Sequence, residues 1–137
     1  MIYLDQAATS FPKIKEVQDA VIDCMNHCTN ANRSTSVTSL NASRLIYQTR
    51  KLIKDGCVVL KSGNTESLNT CIKGILKKGD HVITTYAEHN SVLRPLYQLE
   101  KANIITLSIT SPTVENIKKH LQKKTKMIIV THSSNVT

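Results

Sequence analysis

Short apolar runs alternate with helical stripes through the second half of this chain, and no other feature constrains its fold as much. Between the runs, apolar residues recur at three- and four-residue spacing, which predicts amphipathic helices. Strands that alternate with helices in this way form parallel sheets with helical crossovers. We therefore expect an α/β fold with a parallel or mixed sheet, whose strands are predicted at 57–60, 81–85, 104–109 and 127–131.

The first 56 residues have a different pattern, with two helical stripes and one short strand-like run at 2–4. The stripes predict helices over 17–28 and 42–53, and Ser39 is a candidate N-cap for the second helix. Residues 1–56 are therefore predicted to be an N-terminal helical segment, followed by the alternating strand–helix part at 57–137.

The composition excludes several classes of protein. No apolar segment approaches the ~20 residues that cross a bilayer, and the N-terminus has no signal-peptide pattern, so we expect a cytoplasmic protein with no membrane partner. The net charge of +8 is compatible with nucleic-acid binding. However, the lysines gather near predicted helix ends, where they offset the helix dipole, and Phe11 is the only phenylalanine. We expect no nucleic-acid partner.

The cysteines do not form a CxxC pair, and two of them lie four residues apart on one apolar stripe. A structural zinc site needs four ligands at short spacing, and His27 beside the first pair completes only a partial set. We expect buried, reduced thiols and no metal; the cysteines are Cys24, Cys28, Cys57 and Cys71.

Polar clusters follow three of the four predicted strands, at 62–66, 86–90 and 132–135. Ligands of open parallel sheets bind beyond the carboxyl ends of the strands. In the first cluster, Gly63 allows close backbone approach and Thr65 offers a hydroxyl at a helix N-terminus, as in a phosphate cradle. The same residues also fit an ordinary N-cap by Asn64 or Thr65.

The other two clusters contribute His89 and Asn135. His89, at a predicted helix start, could lie against a planar cofactor or exchange protons near neutral pH, and the alternative is a capping or surface role. Asn135 could donate to a ring oxygen, or could be an ordinary turn asparagine. Placement of all these clusters at one sheet edge favours a shared site.

Taken together, these residues resemble the cysteine desulfurase branch of the class V aminotransferases. The resemblance covers nearly the whole chain and implies the N-terminal part of a class V aminotransferase-like domain, a partial large domain of a fold type I enzyme that uses pyridoxal 5'-phosphate. It rests on five motifs in family order, at 3–10, 62–69, 79–83, 88–91 and 134–137.

The resemblance also implies roles for individual residues. Asn64 and Thr65 would bind the cofactor phosphate, His89 would stack on the pyridine ring and assist catalytic proton transfer, and Asn135 would face the ring hydroxyl oxygen. The family converts cysteine to alanine and leaves the sulfur as a persulfide. A homodimer and a sulfur-acceptor protein are the partners implied for the complete protein. The substrate side would be lined by Ala7, Ala8 and Thr9.

The chain departs from the family pattern in ways that bear on activity. In the family, the lysine that binds the cofactor and the cysteine that carries the persulfide lie beyond the Asn135 motif, so residues 1–137 alone are expected to be inactive. Arg33-Ser34-Thr35-Ser36 stands where relatives show Arg-Ser-Gly-His, Gln6 replaces an asparagine, and Asn64 replaces a smaller residue.

Alternative functions remain open. Within the family, the alternatives are a class V aminotransferase or a selenocysteine lyase. Outside it, the alternative is a noncatalytic α/β module that binds a phosphate-bearing ligand or a partner.

Overall fold

The computed structural model describes residues 2–4, 9–53 and 56–133, and it divides the chain into two compact units, Met1–Leu60 and Lys61–Thr137. The described residues form five helices and three strands. In chain order these are α1 (Lys15–His27), α2 (Val37–Ile53), α3 (Asn64–Ile75), β1 (Asp80–Thr85), α4 (Asn90–Lys101), β2 (Ile105–Thr110), α5 (Val114–Lys119) and β3 (Thr125–Ile128).

The first unit contains the two helices that the periodicity predicts. Cys28 is the C-cap of α1, and its backbone N–H donates to the Cys24 carbonyl at 2.9 Å. α2 begins at Val37, so the prediction of Ser39 as its N-cap is wrong. Ser39 is buried inside the helix, and its hydroxyl donates to the Asn30 carbonyl at 2.6 Å. The hydroxyl therefore ties the preceding loop to the helix.

Two predicted strands do not form within the described residues. Residues 2–4 and 57–60 pair with no strand, and Val59 is 65% exposed. An apolar run becomes a strand only where a neighbouring strand takes its backbone hydrogen bonds. The polar turn at 62–66 consequently does not follow a strand, although it does begin a helix.

Three parallel strands form the described sheet of the second unit, in the order β2-β1-β3. β1 is central and pairs in continuous register with β2, from Asp80 opposite Ile105 to Thr85 opposite Thr110. β3 pairs with the other edge of β1. This arrangement confirms the predicted α/β fold with helical crossovers, and it explains why every residue of β1 after Asp80 is buried.

The core of the second unit lies where α3 and α4 meet the sheet. Ile72 of α3 is 1% exposed and Leu96 of α4 is fully buried. Apolar residues at a spacing of four on each helix join the strands in one cluster, as the 3.6-residue period requires. The buried members of this cluster are Ile72, Leu76, Val82, Val92, Leu96 and Ile105.

A buried histidine bridges the three strands. His81 of β1 is 1% exposed, its Nδ1 lies 2.8 Å from Thr125 Oγ1 and its Nε2 lies 2.9 Å from Ser108 Oγ. Burial lowers the pKa of His81 below its ordinary value of 6.5, and the neighbouring His120 lowers that pKa further. The ring is therefore held neutral between two hydroxyl groups.

Truncation of Ile72 to alanine is expected to lower the free energy of unfolding by about 3 kcal/mol, because removing a buried isoleucine leaves a cavity. The matched control is Ile75→Ala on the same helix, where the side chain is 45% exposed and the loss should stay below about 1 kcal/mol. Urea unfolding followed by circular dichroism measures both. Equal losses would contradict the core described above.

The buried neutral ring of His81 makes folding stability depend on pH. Above 6.5, the ordinary pKa, the ring is neutral in the folded and unfolded chain alike. As the pH falls below that value, the unfolded chain takes up the proton first, and stability decreases until the pH reaches the lowered folded pKa. Urea unfolding from about pH 8 to about pH 5 should show a steeper loss for the wild-type chain than for His81→Gln. Parallel pH profiles would contradict this.

Candidate functional site

α3 begins at the predicted phosphate turn with an N-terminus that no side chain caps. Gly63 occupies the N-cap position, while Asn64 and Thr65 lie within the helix and are exposed. The alternative prediction that Asn64 or Thr65 caps the helix is therefore wrong. The first-turn N–H groups have no intrahelical acceptor, and together with the helix dipole they favour an anion at this position.

Glu66 fixes the turn that leads into α3. Its carboxylate accepts hydrogen bonds from the Ser62 N–H at 2.9 Å, the Ser62 hydroxyl at 2.7 Å and Lys61 Nζ at 3.0 Å. The bonds from Ser62, with a smaller contribution from Lys61, lower the pKa of Glu66 to about 2. Ser62 is already occupied by Glu66, so the donors open to a ligand are the first-turn N–H groups and the exposed side chains of Asn64 and Thr65.

His89 is the N-cap residue of α4. Its Nδ1 accepts the Ser91 N–H at 3.1 Å and lies 2.9 Å from the Ser91 hydroxyl. Because a backbone N–H can only donate, Nδ1 carries no proton, and the proton of the neutral ring is on Nε2. The cap also fixes the direction of an imidazole that is otherwise exposed.

Thr65 and His89 line one groove between α3 and α4, with a volume of about 390 Å³. The structure thus brings together two of the residues that the sequence predicts for the site, and the groove has the size of a small-molecule site. Two of its other residues, Lys73 and Arg94, are basic, and none is acidic. The remaining residues of the groove are Asn69, Asn90, Ser91, Pro95 and Gln98.

Of the other predicted site residues, only Thr9 and Asn64 are described, and neither lines this groove. Asn135, Ala7 and Ala8 lie outside the described residues, and their roles stay predictions. Thr9 is exposed in the first unit, where its hydroxyl accepts from Lys13 Nζ at 2.9 Å and its carbonyl accepts from the Tyr3 hydroxyl at 3.1 Å. Asn64 precedes Thr65 at the helix start and does not line the groove.

Three residues near this site were not predicted from the sequence. Lys73 and Arg94 line the groove, and a polar stripe at four-residue spacing along α3 (Thr65, Asn69, Lys73) was the available signal. Glu88 is 8% exposed and lies directly before His89. The sequence does indicate Glu88, because an acidic residue stands there between an apolar strand and a helix start. A carboxylate buried at such a place requires hydrogen-bond donors around it.

The cysteines are free thiols. Cys24 and Cys28 are half-buried, whereas Cys57 and Cys71 are exposed, so the expectation of burial is wrong for the latter two. Burial and the neighbouring Cys24 raise the pKa of the Cys28 thiol. Within the described ranges, no group of histidine, cysteine and acidic residues is placed to hold a metal ion.

Among the described helices, none combines the length and apolar character that a bilayer crossing requires.

A parallel α/β protein with a basic groove between two helices is the class that the fold and site define. The family model for class-V aminotransferases matches residues 2–137, so this chain belongs to the class-V aminotransferase family. It is 32% identical over 151 residues to a probable cysteine desulfurase of Ureaplasma parvum serovar 3, covering 99% of this chain and 37% of the relative. It is also 32% identical over 152 residues to the cysteine desulfurase IscS of Dictyoglomus turgidum, with coverages of 98% and 38%. The chain thus spans less than two fifths of these relatives' length.

Solved structures share this fold. The apo cysteine desulfurase of Thermococcus onnurineus NA1 matches with a TM-score of 0.70 and 26% identity over 85% of this chain and 34% of that chain. DndA of Streptomyces lividans matches with a TM-score of 0.77 and 24% identity over 99% and 42%. These matches confirm the predicted class V fold.

Substitution of His89 by alanine is expected to lower the free energy of unfolding by about 1 kcal/mol, because α4 loses its N-cap. His89→Asn is the matched control, since asparagine caps well and should stay within about 0.5 kcal/mol of the wild-type chain. Chemical unfolding measures both variants. If the two variants lose the same stability, the imidazole does not cap α4 in solution.

Proposed function

We propose that this chain forms the cofactor-phosphate part of a pyridoxal 5'-phosphate enzyme of the cysteine desulfurase type. One observation carries the proposal: Thr65, at the uncapped start of α3, and His89 line the same groove. Family membership and the cysteine desulfurase relatives support this choice of cofactor. A further structure with the same fold, a C-DES variant, has glycine covalently linked to its PLP cofactor.

The residues present fit this cofactor. First-turn N–H groups, the Thr65 hydroxyl and the Asn64 amide would hold the phosphate at the positive end of the α3 dipole. Lys73 and Arg94 make the groove positive, which favours a phosphate dianion. The nearby Glu66 carboxylate is bonded to Ser62 and to Lys61, which offsets its charge.

His89 is the proposed catalytic residue among the described ones. When bound, pyridoxal 5'-phosphate supplies an electron sink for charge that develops on the substrate. The Ser91 N–H holds His89 Nδ1 as an acceptor, so the neutral imidazole presents Nε2–H as a hydrogen-bond donor and its face for stacking on the pyridine ring. To transfer a proton, the ring would first exchange the Ser91 bond for a proton at Nδ1. Asn135 is proposed to face the ring hydroxyl, and Ala7, Ala8 and Thr9 are proposed to line the substrate side.

For the whole protein we propose the conversion of L-cysteine to L-alanine with transfer of sulfur to an acceptor protein, in a cytoplasmic homodimer. The names of the relatives favour a desulfurase over an aminotransferase or a selenocysteine lyase. No observation favours the noncatalytic module. Inactivity of residues 1–137 alone stays a prediction from the sequence.

The phosphate site can be tested with pyridoxine 5'-phosphate, which has no aldehyde and so cannot react with surface lysines. We expect the chain to bind it more tightly than unphosphorylated pyridoxine, and Thr65→Val to weaken binding about tenfold, the effect of one lost hydrogen bond to a charged group. Isothermal titration calorimetry measures these affinities.

The matched control for this titration is Thr70→Val on the same helix, whose hydroxyl donates to the Glu66 carbonyl at 2.8 Å. Thr70→Val should bind pyridoxine 5'-phosphate as the wild-type chain does. Equal binding of pyridoxine and its phosphate, or equal binding by the two variants, would rule out a phosphate site at α3.

A further inference from the structure

A buried carboxylate joins the ends of two neighbouring strands. Glu88 is 8% exposed, and its Oε1 accepts the Thr85 hydroxyl at 2.8 Å and the Thr131 N–H at 2.6 Å. Its Oε2 accepts the Thr131 hydroxyl at 2.5 Å. Burial of a carboxylate is unfavourable unless donors surround it, and here three donors do so.

The segment that contains Thr131 is held beside β1 by bonds that continue past the end of β3. The Ile129 N–H donates to the Ile83 carbonyl at 2.9 Å, and the Thr84 hydroxyl donates to the Ile129 carbonyl at 3.3 Å. Thr131 therefore reaches the exit of β1, where it meets a residue 43 positions earlier in the chain. Glu88 is the side chain that closes this contact.

Glu88 also lies next to a predicted site residue in the sequence. The next residue, His89, caps α4 through Ser91, and Thr131 precedes Asn135 by four residues. Movement of Glu88 would shift the His89 backbone, while loss of its bonds to Thr131 would release the segment that leads to Asn135. One carboxylate thus links the segment of His89 to the segment that leads to Asn135.

We propose that Glu88 is a positioning residue, which fixes His89 relative to the segment after β3 through its hydrogen bonds with Thr85 and Thr131. Any effect of Glu88 on cofactor binding rests on the proposed function, whereas its coupling of His89 to the segment after β3 does not. Glu88 acts only through its neighbours, and it is not placed against a ligand.

Thr131→Val tests this coupling, because it removes one hydroxyl donor from Glu88 while the sequence around His89 stays unchanged. Loss of the Thr131 hydroxyl bond to the Glu88 carboxylate should weaken the cap that Ser91 N–H makes with His89. Amide hydrogen exchange by NMR should then be about tenfold faster at Ser91 and unchanged at Ile83. Imidazole nitrogen shifts of His89 should move away from the Nε2–H form. Thr131→Ser, which retains the hydroxyl, should restore both signals.

The matched control is Thr106→Val, the same change on an exposed position of β2, which should leave Ser91 and His89 as in the wild-type chain. Wild-type exchange at Ser91 together with an unchanged His89 ring in folded Thr131→Val would overturn the proposal. If Thr131→Val does not fold, Thr85→Val removes the other hydroxyl donor and is held to the same two readouts.

Titration of pyridoxine 5'-phosphate into the wild-type chain separates this proposal from the proposed function. No binding would sink the proposed function, and the exchange data from the ligand-free variants would still decide the role of Glu88.

Discussion

Parallel pairing of β1 with a strand on each side is the constraint on which the second unit depends. A strand in this position is buried on both faces, so each of its polar side chains needs a partner inside the protein. His81 forms hydrogen bonds with hydroxyls of β2 and β3. The Thr84 hydroxyl donates to the Ile129 carbonyl, and the Thr85 hydroxyl donates to Glu88. Among the described residues, no buried side-chain polar atom lacks a hydrogen bond. The pairing that builds the core therefore also fixes the residues beside the groove.

Periodicity alone was sufficient to predict most of the elements. β1, β2 and all five helices appear close to their predicted places, although α1 and α5 contain no buried residue. A helical period thus predicts a helix without specifying what covers its apolar stripe. The apolar run at 57–60 also predicts a strand, yet it forms none within the described residues. Strand formation depends on a partner elsewhere in the chain, and the local sequence does not specify that partner. The prediction of Ser39 as an N-cap was wrong for a similar reason, because its hydroxyl bonds to the Asn30 carbonyl in the loop before the helix.

The site was predictable where a motif marks a helix start, and not where tertiary contacts create it. Thr65 and His89 were predicted from strand exits and turn chemistry, and they share a groove. His89 both caps α4 and lines the groove, so its role as a cap does not exclude the proposed role at a cofactor. Glu88 was not assigned a role, because its importance comes from Thr131, which is distant in sequence. Lys73 and Arg94 contribute charge to the groove only because α3 packs against α4.

The cap of α4 restricts how His89 can handle protons. A second proton at Nδ1 would have to displace the Ser91 N–H, so taking up a proton there and starting the helix are competing events. While the cap holds, the neutral imidazole can only donate a hydrogen bond from Nε2, because loss of that proton would leave an imidazolate. A helix start of this kind therefore couples the charge of the histidine to the first turn of α4, since the ring gains a second proton only by giving up the cap.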